Sequence, residues 1–167
     1  MQLQRHISRR LHEEHMNALA LLERFEQILT GRNGSWPPAP DDPAWRAFSA
    51  KLAEALANEV AGHFALEENA LFGRLTDAGN GELVELLLEE HATIRAVVAE
   101  LLPLCALSTR GGTVEPQTWQ AIKMHGLELS ERLSAHINKE ELSLVPAVEE
   151  LLDEDTDREL AFAYTSG

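Results

Sequence analysis

The sequence is short of several things, and each shortage excludes something. It has one cysteine, Cys105, so no disulfide can form within the chain. A reducing, cytoplasmic compartment is the expectation that follows. Basic residues are half as numerous as acidic ones, 14 against 28, for a formal charge of −14. Phosphate binding needs a basic surface, so nucleic acid is not an expected partner, and the small cluster Arg5, Arg9, Arg10 is too few to change that. No apolar run reaches the ~20 residues that a spanning helix needs. The opening Met1-Gln-Leu-Gln-Arg-His has no apolar stretch of the kind a secretory signal carries. Neither membrane nor export is therefore expected. Alternating apolar and polar residues, the mark of a strand, are missing throughout.

What is present is 167 residues, 44% of them hydrophobic, enough for one domain with a core of its own. Glycine and proline divide the chain into four long segments. The first covers about 4–30 and stops at Gly31, with Asn33-Gly34 after it. A proline-rich connector from Trp36 leads to Asp42-Pro43, an N-cap followed by proline at the first helical position. The second segment runs to about 76 and ends before Gly79-Asn80-Gly81; the third spans about 82–107 and closes at Gly111-Gly112. Thr113 and Pro116 introduce the fourth, to about 152. Each segment has the helical period, with Trp45, Phe48, Leu52, Leu56, Val60 and Leu71 in the second. In the fourth the stripe is Ile122, Leu129, Leu133, Leu144, Ala147 and Leu151. The fold class predicted is all-α, an antiparallel four-helix bundle over residues 1–152. Residues 153–167 form an acidic tail with room for a short helix near 159–163. Pro103 and Pro146 fall inside helical patterns and predict kinks or early ends. Cys105, Trp45, Phe48 and Trp119 are read as packing residues.

Polar residues interrupt these stripes at matched places. The second passes Leu56, Val60, His63, Glu67, Leu71, and the fourth Leu129, Leu133, His136, Glu140, Leu144. The first segment aligns His15 with Leu19, Leu22 and Leu29, and the third aligns His91 with Leu87, Ile94, Val98 and Leu101. One histidine in an apolar stripe is ordinarily a core residue satisfied by a neighbour. Four of them with two core glutamates, in a repeat, are not. Glu14-His15 precedes His63…Glu67-Glu68 by 48 residues, histidine to histidine, and Glu90-His91 precedes His136…Glu140-Glu141 by 45. Two buried carboxylates would each cost several kcal/mol or take up a proton; a cation between them and four imidazoles removes that cost. This donor set suits iron, and also zinc or manganese. Two bridging glutamates with two histidines per ion leave positions open for water or a small oxidant. Glu68 and Glu141 turn ~100° away and are solvated or just outside the ligand set. His12, one turn before His15, reads as exposed, with an outer neighbour or an alternative ligand as the other readings. His6 reads as surface, and His125 sits too far along its helix.

These residues resemble the hemerythrin-like family, the HHE cation-binding domains, from about Leu11 to Leu152. The likeness rests on Glu14-His15, His63…Glu67, Leu86-Leu-Leu-Glu-Glu90-His91…Ile94-Arg95 and His136…Glu140-Glu141…Leu144-Val145-Pro146. It implies a four-helix bundle with a carboxylate-bridged di-iron centre, oxo- or hydroxo-bridged. His15 and His63 would serve one iron, His91 and His136 the other, and Glu67 and Glu140 would bridge. Oxygen-carrying hemerythrins have a second third-helix histidine where this chain has Arg95, and a last aspartate in H-x-x-x-x-D where it has Glu140 in H-x-x-x-E. The four-histidine, two-glutamate set is closer to the family's bacterial iron–sulfur-cluster repair proteins. The expected partner is O2, NO or peroxide, in oxidative or nitrosative stress or in iron handling. Whether the chain is an enzyme or a non-catalytic store or sensor stays open.

Overall fold

The structure is a computed structural model that describes residues 3–31, 37–111 and 114–166. The expected turn at Asn33-Gly34, and Trp36, Gly112 and Thr113, lie outside the described residues. Among those described there is no strand. Helix α1 is His6–Thr30 and α2 occupies 43–77. Helix α3 is Gly81–Ser108, α4 Pro116–Leu142, α5 Leu144–Leu151 and α6 Glu154–Ser166.

The ends of these helices show why they start and stop where they do. Asp42 caps α2, its carboxylate accepting the N–H groups of Ala44 and Trp45 at 2.8 and 3.2 Å, with Pro43 behind it. Helix α1 has no capping side chain of its own. Its first N–H groups, those of His6 and Ile7, donate to Asp157 at 2.8 and 2.9 Å. Glu149 takes the N–H of Gln4 at 2.7 Å. Acids from the other end of the chain thus satisfy orphan donors at the positive end of the α1 dipole.

The fourth segment does not run to 152 as one helix. It breaks at Ser143 (φ −130°, ψ −55°) and restarts at Leu144, which places Pro146 in a first turn where its missing N–H has no partner to lose. The break changes the buried face: Val148 and Leu152 point in, and the predicted Leu151 is 38% exposed. At Pro103 no early end occurs; α3 continues to Ser108. The tail forms a longer helix than 159–163, Glu154–Ser166.

Paired positions give the chain directions. Phe25 meets Phe48 and Glu14 meets His63, Trp45 meets Ser108 and Glu68 meets His91. Glu26 meets Ser130 and His15 meets Glu141. In each pair of helices one number rises as the other falls. Helix α3 is long and apolar enough to cross a membrane by length and composition, with a mean hydropathy of 1.3 over its best window. Its stripe Leu87, His91, Ile94, Leu101 is nevertheless buried inside the protein, with a histidine in it.

The apolar interior is in two parts. One gathers Phe25, Leu29, Trp45, Leu101, Trp119 and Leu129; the other gathers Ile7, Leu11, Phe72, Leu75, Leu87 and Val148. Cys105 and Phe48 pack with the first, as read from the sequence, and Trp45 meets Trp119 edge-on at 5.3 Å. Of the six predicted inward polar residues, His15, His91 and Glu140 fall between these two parts in chain order on their helices, and His63, Glu67 and His136 lie where the parts meet, beside Phe64, Leu66 and Ile137.

Gly126 lets α4 close on α1. A Cβ there would lie 2.7 Å from Leu29 Cδ1 and 2.8 Å from the Phe25 ring, both fully buried. Gly126→Val should therefore cost about 1–3 kcal/mol as an overpacked core. A denaturant midpoint that is unchanged or higher would show that this contact does not limit the packing.

Candidate metal centre

The second helix explains how its polar residues reach the interior. Glu59, His63, Glu67 and Leu71 are separated by three four-residue steps, which would carry an α-helix about 120° round its axis. All four are nonetheless buried, at 9%, 2%, 0% and 1% exposure. Two π-helical turns, Glu59–His63 and Glu67–Leu71, take up the drift and keep the four in line. The cost to the sequence pattern is visible at Val60, predicted to face the core but only partly buried, while Glu59 replaces it inside.

The structure brings all six predicted residues together. Their donor atoms form two groups, His15, His63, Glu67, Glu140 and Glu67, His91, His136, Glu140, with the atoms of each group within 4.8 Å of one another. His63 Nε2 lies 3.0 Å from Glu67 Oε1, and His91 Nε2 lies 3.2 Å from Glu67 Oε2. Glu140 mirrors this, with His136 Nε2 3.0 Å from Oε1 and His15 Nε2 3.1 Å from Oε2. Each carboxylate therefore gives one oxygen to each histidine pair.

A second ring of carboxylates surrounds the first. His15 Nδ1 meets Glu141 at 2.5 Å, His63 Nδ1 meets Glu14 at 2.9 Å, His91 Nδ1 meets Glu68 at 2.7 Å and His136 Nδ1 meets Glu90 at 2.8 Å. An ionised carboxylate only accepts, so each Nδ1 carries the proton and each Nε2 turns a lone pair inward. Every outer carboxylate is held by a further basic side chain: Glu141 by His12 at 2.8 Å, Glu68 by Arg95 at 2.8 Å, Glu14 by Arg10 at 2.6 Å, and Glu90 by Lys139. His6, exposed, and His125 take no part.

The fit to a cation can be tested on the inner ring itself. His15 and His63 bring Nε2 to Nε2 at 3.1 Å, and His91 and His136 at 3.2 Å. All four oxygens of Glu67 and Glu140 are buried without a hydrogen bond, although the imidazoles are close. Eight acceptor atoms face one small volume and no donor faces them. Only cations, metal or proton, reconcile that arrangement with an interior. The residues fit a metal.

The family profile of the hemerythrin HHE cation-binding domain matches residues 6–148. The chain belongs to that family. No curated protein matches the chain. Membership implies binding of metal cations, typically iron, and the histidine–glutamate groups of this HHE domain could hold them.

Sequence reasoning left the outer ring largely unassigned. Glu14 and Glu90 appeared only as neighbours in the E-H pairs; each proves to hold the Nδ1 of the histidine on the next helix of its own half. Glu68 and Glu141 hold the histidine of the opposite half. The His12 side chain is 45% exposed and pairs with Glu141, so the exposed and outer-neighbour readings each hold in part, and the structure places it outside both inner groups, not as an alternative ligand. Glu59 was missed altogether, because a 3.6-residue period cannot see a π turn. It lines a groove of about 850 Å3 that reaches His63, together with Glu14, Gly62, Leu133 and Tyr164. The His91 side is covered instead: Phe64 stacks on that ring at 3.7 Å and Phe72 at 5.6 Å.

Without metal, protons have to serve. Burial would lower the pKa of each inner histidine, but the carboxylates outweigh it: Glu140, Glu67 and Glu68 take His91 up to about 9, and Glu67 and Glu14 raise His63 well above its ordinary value. Burial would raise Glu140, yet His136, His15 and His91 hold it well below the usual range. A histidine raised in the folded state stabilises fully below its unfolded pKa of ~6.5 and ceases to as pH climbs through the folded value. The metal-free protein should thus lose thermal stability between about pH 6.5 and 9, while metal-loaded protein, its Nε2 protons already displaced, should not. A melting temperature of the metal-free form that is flat or rising across that window would contradict the assignment.

Proposed function

We propose that this HHE domain is a non-haem di-iron protein whose helices form an antiparallel four-helix bundle around the metal pair. His15 and His63 hold one ion, His91 and His136 the other, and Glu67 and Glu140 bridge them. The observation that carries the reading is the division of each buried carboxylate between the two histidine pairs, at 3.0–3.2 Å on every side. Imidazole with carboxylate favours iron, and zinc or manganese can substitute. When bound, an iron pair supplies one-electron steps between ferrous and ferric and open positions for O2, NO or peroxide.

The protein's own residues shape that chemistry. The outer carboxylates fix the tautomer of every imidazole and raise its strength as a donor. The groove at His63 gives a small molecule a way in, and Glu59, whose Oε1 is buried without a partner, stands beside it. Burial raises the pKa of Glu59, against the lowering influence of His63. Phe64 and Phe72 keep water from His91. This points to a protein that reacts with or senses a small oxidant, in oxidative or nitrosative stress or in iron handling. The second reading, a non-catalytic store or sensor of O2, NO or iron, uses the same site without turnover.

Because the glutamates bridge and the histidines do not, removal should have unequal effects. Anaerobically purified His15→Ala should keep about one iron, whereas Glu67→Ala should lose both, and the double variant H63A/H136A should hold none, in line with the large affinity losses expected for a lost ligand or its support. Two equivalents of iron in H63A/H136A would remove the ligand assignment. Stopped-flow spectroscopy of the reduced protein separates the two readings. An oxygen-dependent spectral change that reverses on deoxygenation indicates a carrier or sensor, and rapid oxidation with consumption of peroxide indicates an enzyme.

A further inference from the structure

Three of the four outer carboxylates have one basic partner besides their histidine. Glu14 has two further donors. Arg10 Nε binds its Oε1 at 2.6 Å, and the Tyr164 hydroxyl donates to its Oε2 at 3.0 Å. Oε2 is also the atom that accepts His63 Nδ1–H, at 2.9 Å. Its counterpart in the other half is arranged differently. Glu90 receives His136 on Oε2 and Lys139 on Oε1, so each oxygen serves one donor.

Tyr164 does not reach Glu14 by accident of a loose tail. Helix α6 lies parallel to α1 in matched register, with Asp157 accepting the N–H groups of His6 and Ile7 at one end and Tyr164 meeting Glu14 at the other. Seven residues, two helical turns, separate Ile7 from Glu14 and Asp157 from Tyr164 alike. Asp157 is 3% exposed, so the anchor is buried. Arg10 packs over the Tyr164 ring at 5.3 Å. The hydroxyl sits beside Gly62, 3.8 Å from where a Cβ would be. The family match ends at residue 148, so this helix lies beyond it.

We propose that Tyr164 is a positioning residue that makes the two halves of the metal centre unequal, by sharing with His63 the one oxygen of Glu14 that sets the donor strength of that imidazole. The inference rests on the di-iron reading above. A carboxylate oxygen that already accepts the tyrosine hydroxyl draws less strongly on the His63 N–H. His63 Nε2 is then a weaker donor than His136 Nε2, and the ion in the His15–His63 half favours its ferrous state more than it would without the hydroxyl; in the other half the shared oxygen is Glu68 Oε1, which meets His91 Nδ1 at 2.7 Å and Arg95 at 2.8 Å. Removal of the hydroxyl frees Oε2 for His63 alone and shifts that ion toward ferric. The other ion, whose outer contacts are Glu90 and Glu68, is untouched.

The test uses the full chain loaded anaerobically with isotopically enriched iron, and reads Mössbauer spectra and a redox titration. Tyr164→Phe keeps the ring and loses only the hydroxyl. One of two iron signals should shift, with the ferric preference of that iron raised about tenfold, the lower end of what an outer partner contributes, or about 59 mV for a one-electron couple. Lys139→Met should move the other signal. If both variants move the same signal, or Tyr164→Phe moves both alike, the assignment to the His63 half is wrong. Loss of iron with a lowered melting temperature and no shift in the remaining signal would make Tyr164 a packing residue only. Wild-type protein without two iron signals overturns the di-iron reading and this one together, whereas two signals that Tyr164→Phe leaves in place overturn this one alone.

Discussion

Eight acceptor atoms without a donor, closed inside a helical interior, set the terms for everything else in this protein. Four imidazole lone pairs and four carboxylate oxygens converge where an apolar layer would otherwise continue. The penalty for leaving them so is several kcal/mol per charged group, comparable with the whole stability of a domain this size. A cation must therefore be part of the folded state. Protons on the histidines serve when metal is missing, and metal displaces them. Folding and metal loading are in this way one equilibrium, and the two apolar clusters on either side act as the clamps that hold the polar layer at one depth.

The outer carboxylates solve the second half of the problem. An imidazole free to rotate, or to carry its proton on Nε2, would not present a lone pair inward. Glu14, Glu68, Glu90 and Glu141 each take an Nδ1 proton and are themselves 22–27% exposed, against 0% for Glu67 and Glu140. Their excess charge is met by Arg10, Arg95, Lys139 and His12 at the rim. Charge thus alternates outward from the centre: cation, carboxylate and imidazole, carboxylate, base. Arg95 occupies the position where oxygen-carrying relatives have another histidine, and its part is to hold Glu68 rather than to bind metal. Part of the acidity of the chain is spent here rather than on solubility.

How much of this the sequence showed depends on whether a residue obeys a simple helical period. His15, His91, His136 and Glu140 interrupt regular stripes, and their convergence could be read off directly. His63 and Glu67 were found for the same reason, although the geometry that places them is not regular. Two π turns hold that stretch in line, and period counting replaced Glu59 with Val60. The break at Ser143 hid itself similarly: Leu151 continued the stripe on paper, but a new helix had begun. The outer ring was illegible for a different reason. Glu14 and Glu90 sit one residue before His15 and His91, on a face that looks solvated, and only the packing of the next helix turns it into a partner surface. Contacts between distant segments, such as Glu149 and Asp157 on the start of α1, leave no periodic trace at all.

The internal repeat makes a further point about symmetry. Residues 14, 15, 63, 67 and 68 correspond in role to 90, 91, 136, 140 and 141, down to which oxygen of which carboxylate meets which imidazole. A duplicated unit with a two-fold relation would give two identical ions, and identical ions would have no reason to divide their tasks. The departures from symmetry all lie outside the inner ring. Phe64 and Phe72 cover His91, a groove opens at His63, a π turn inserts Glu59 on that side only, and a terminal helix adds a hydroxyl to one outer carboxylate. An inner ring that holds cations cannot vary without losing them. The surroundings are under no such constraint, and that is where two equivalent sites can be made to differ.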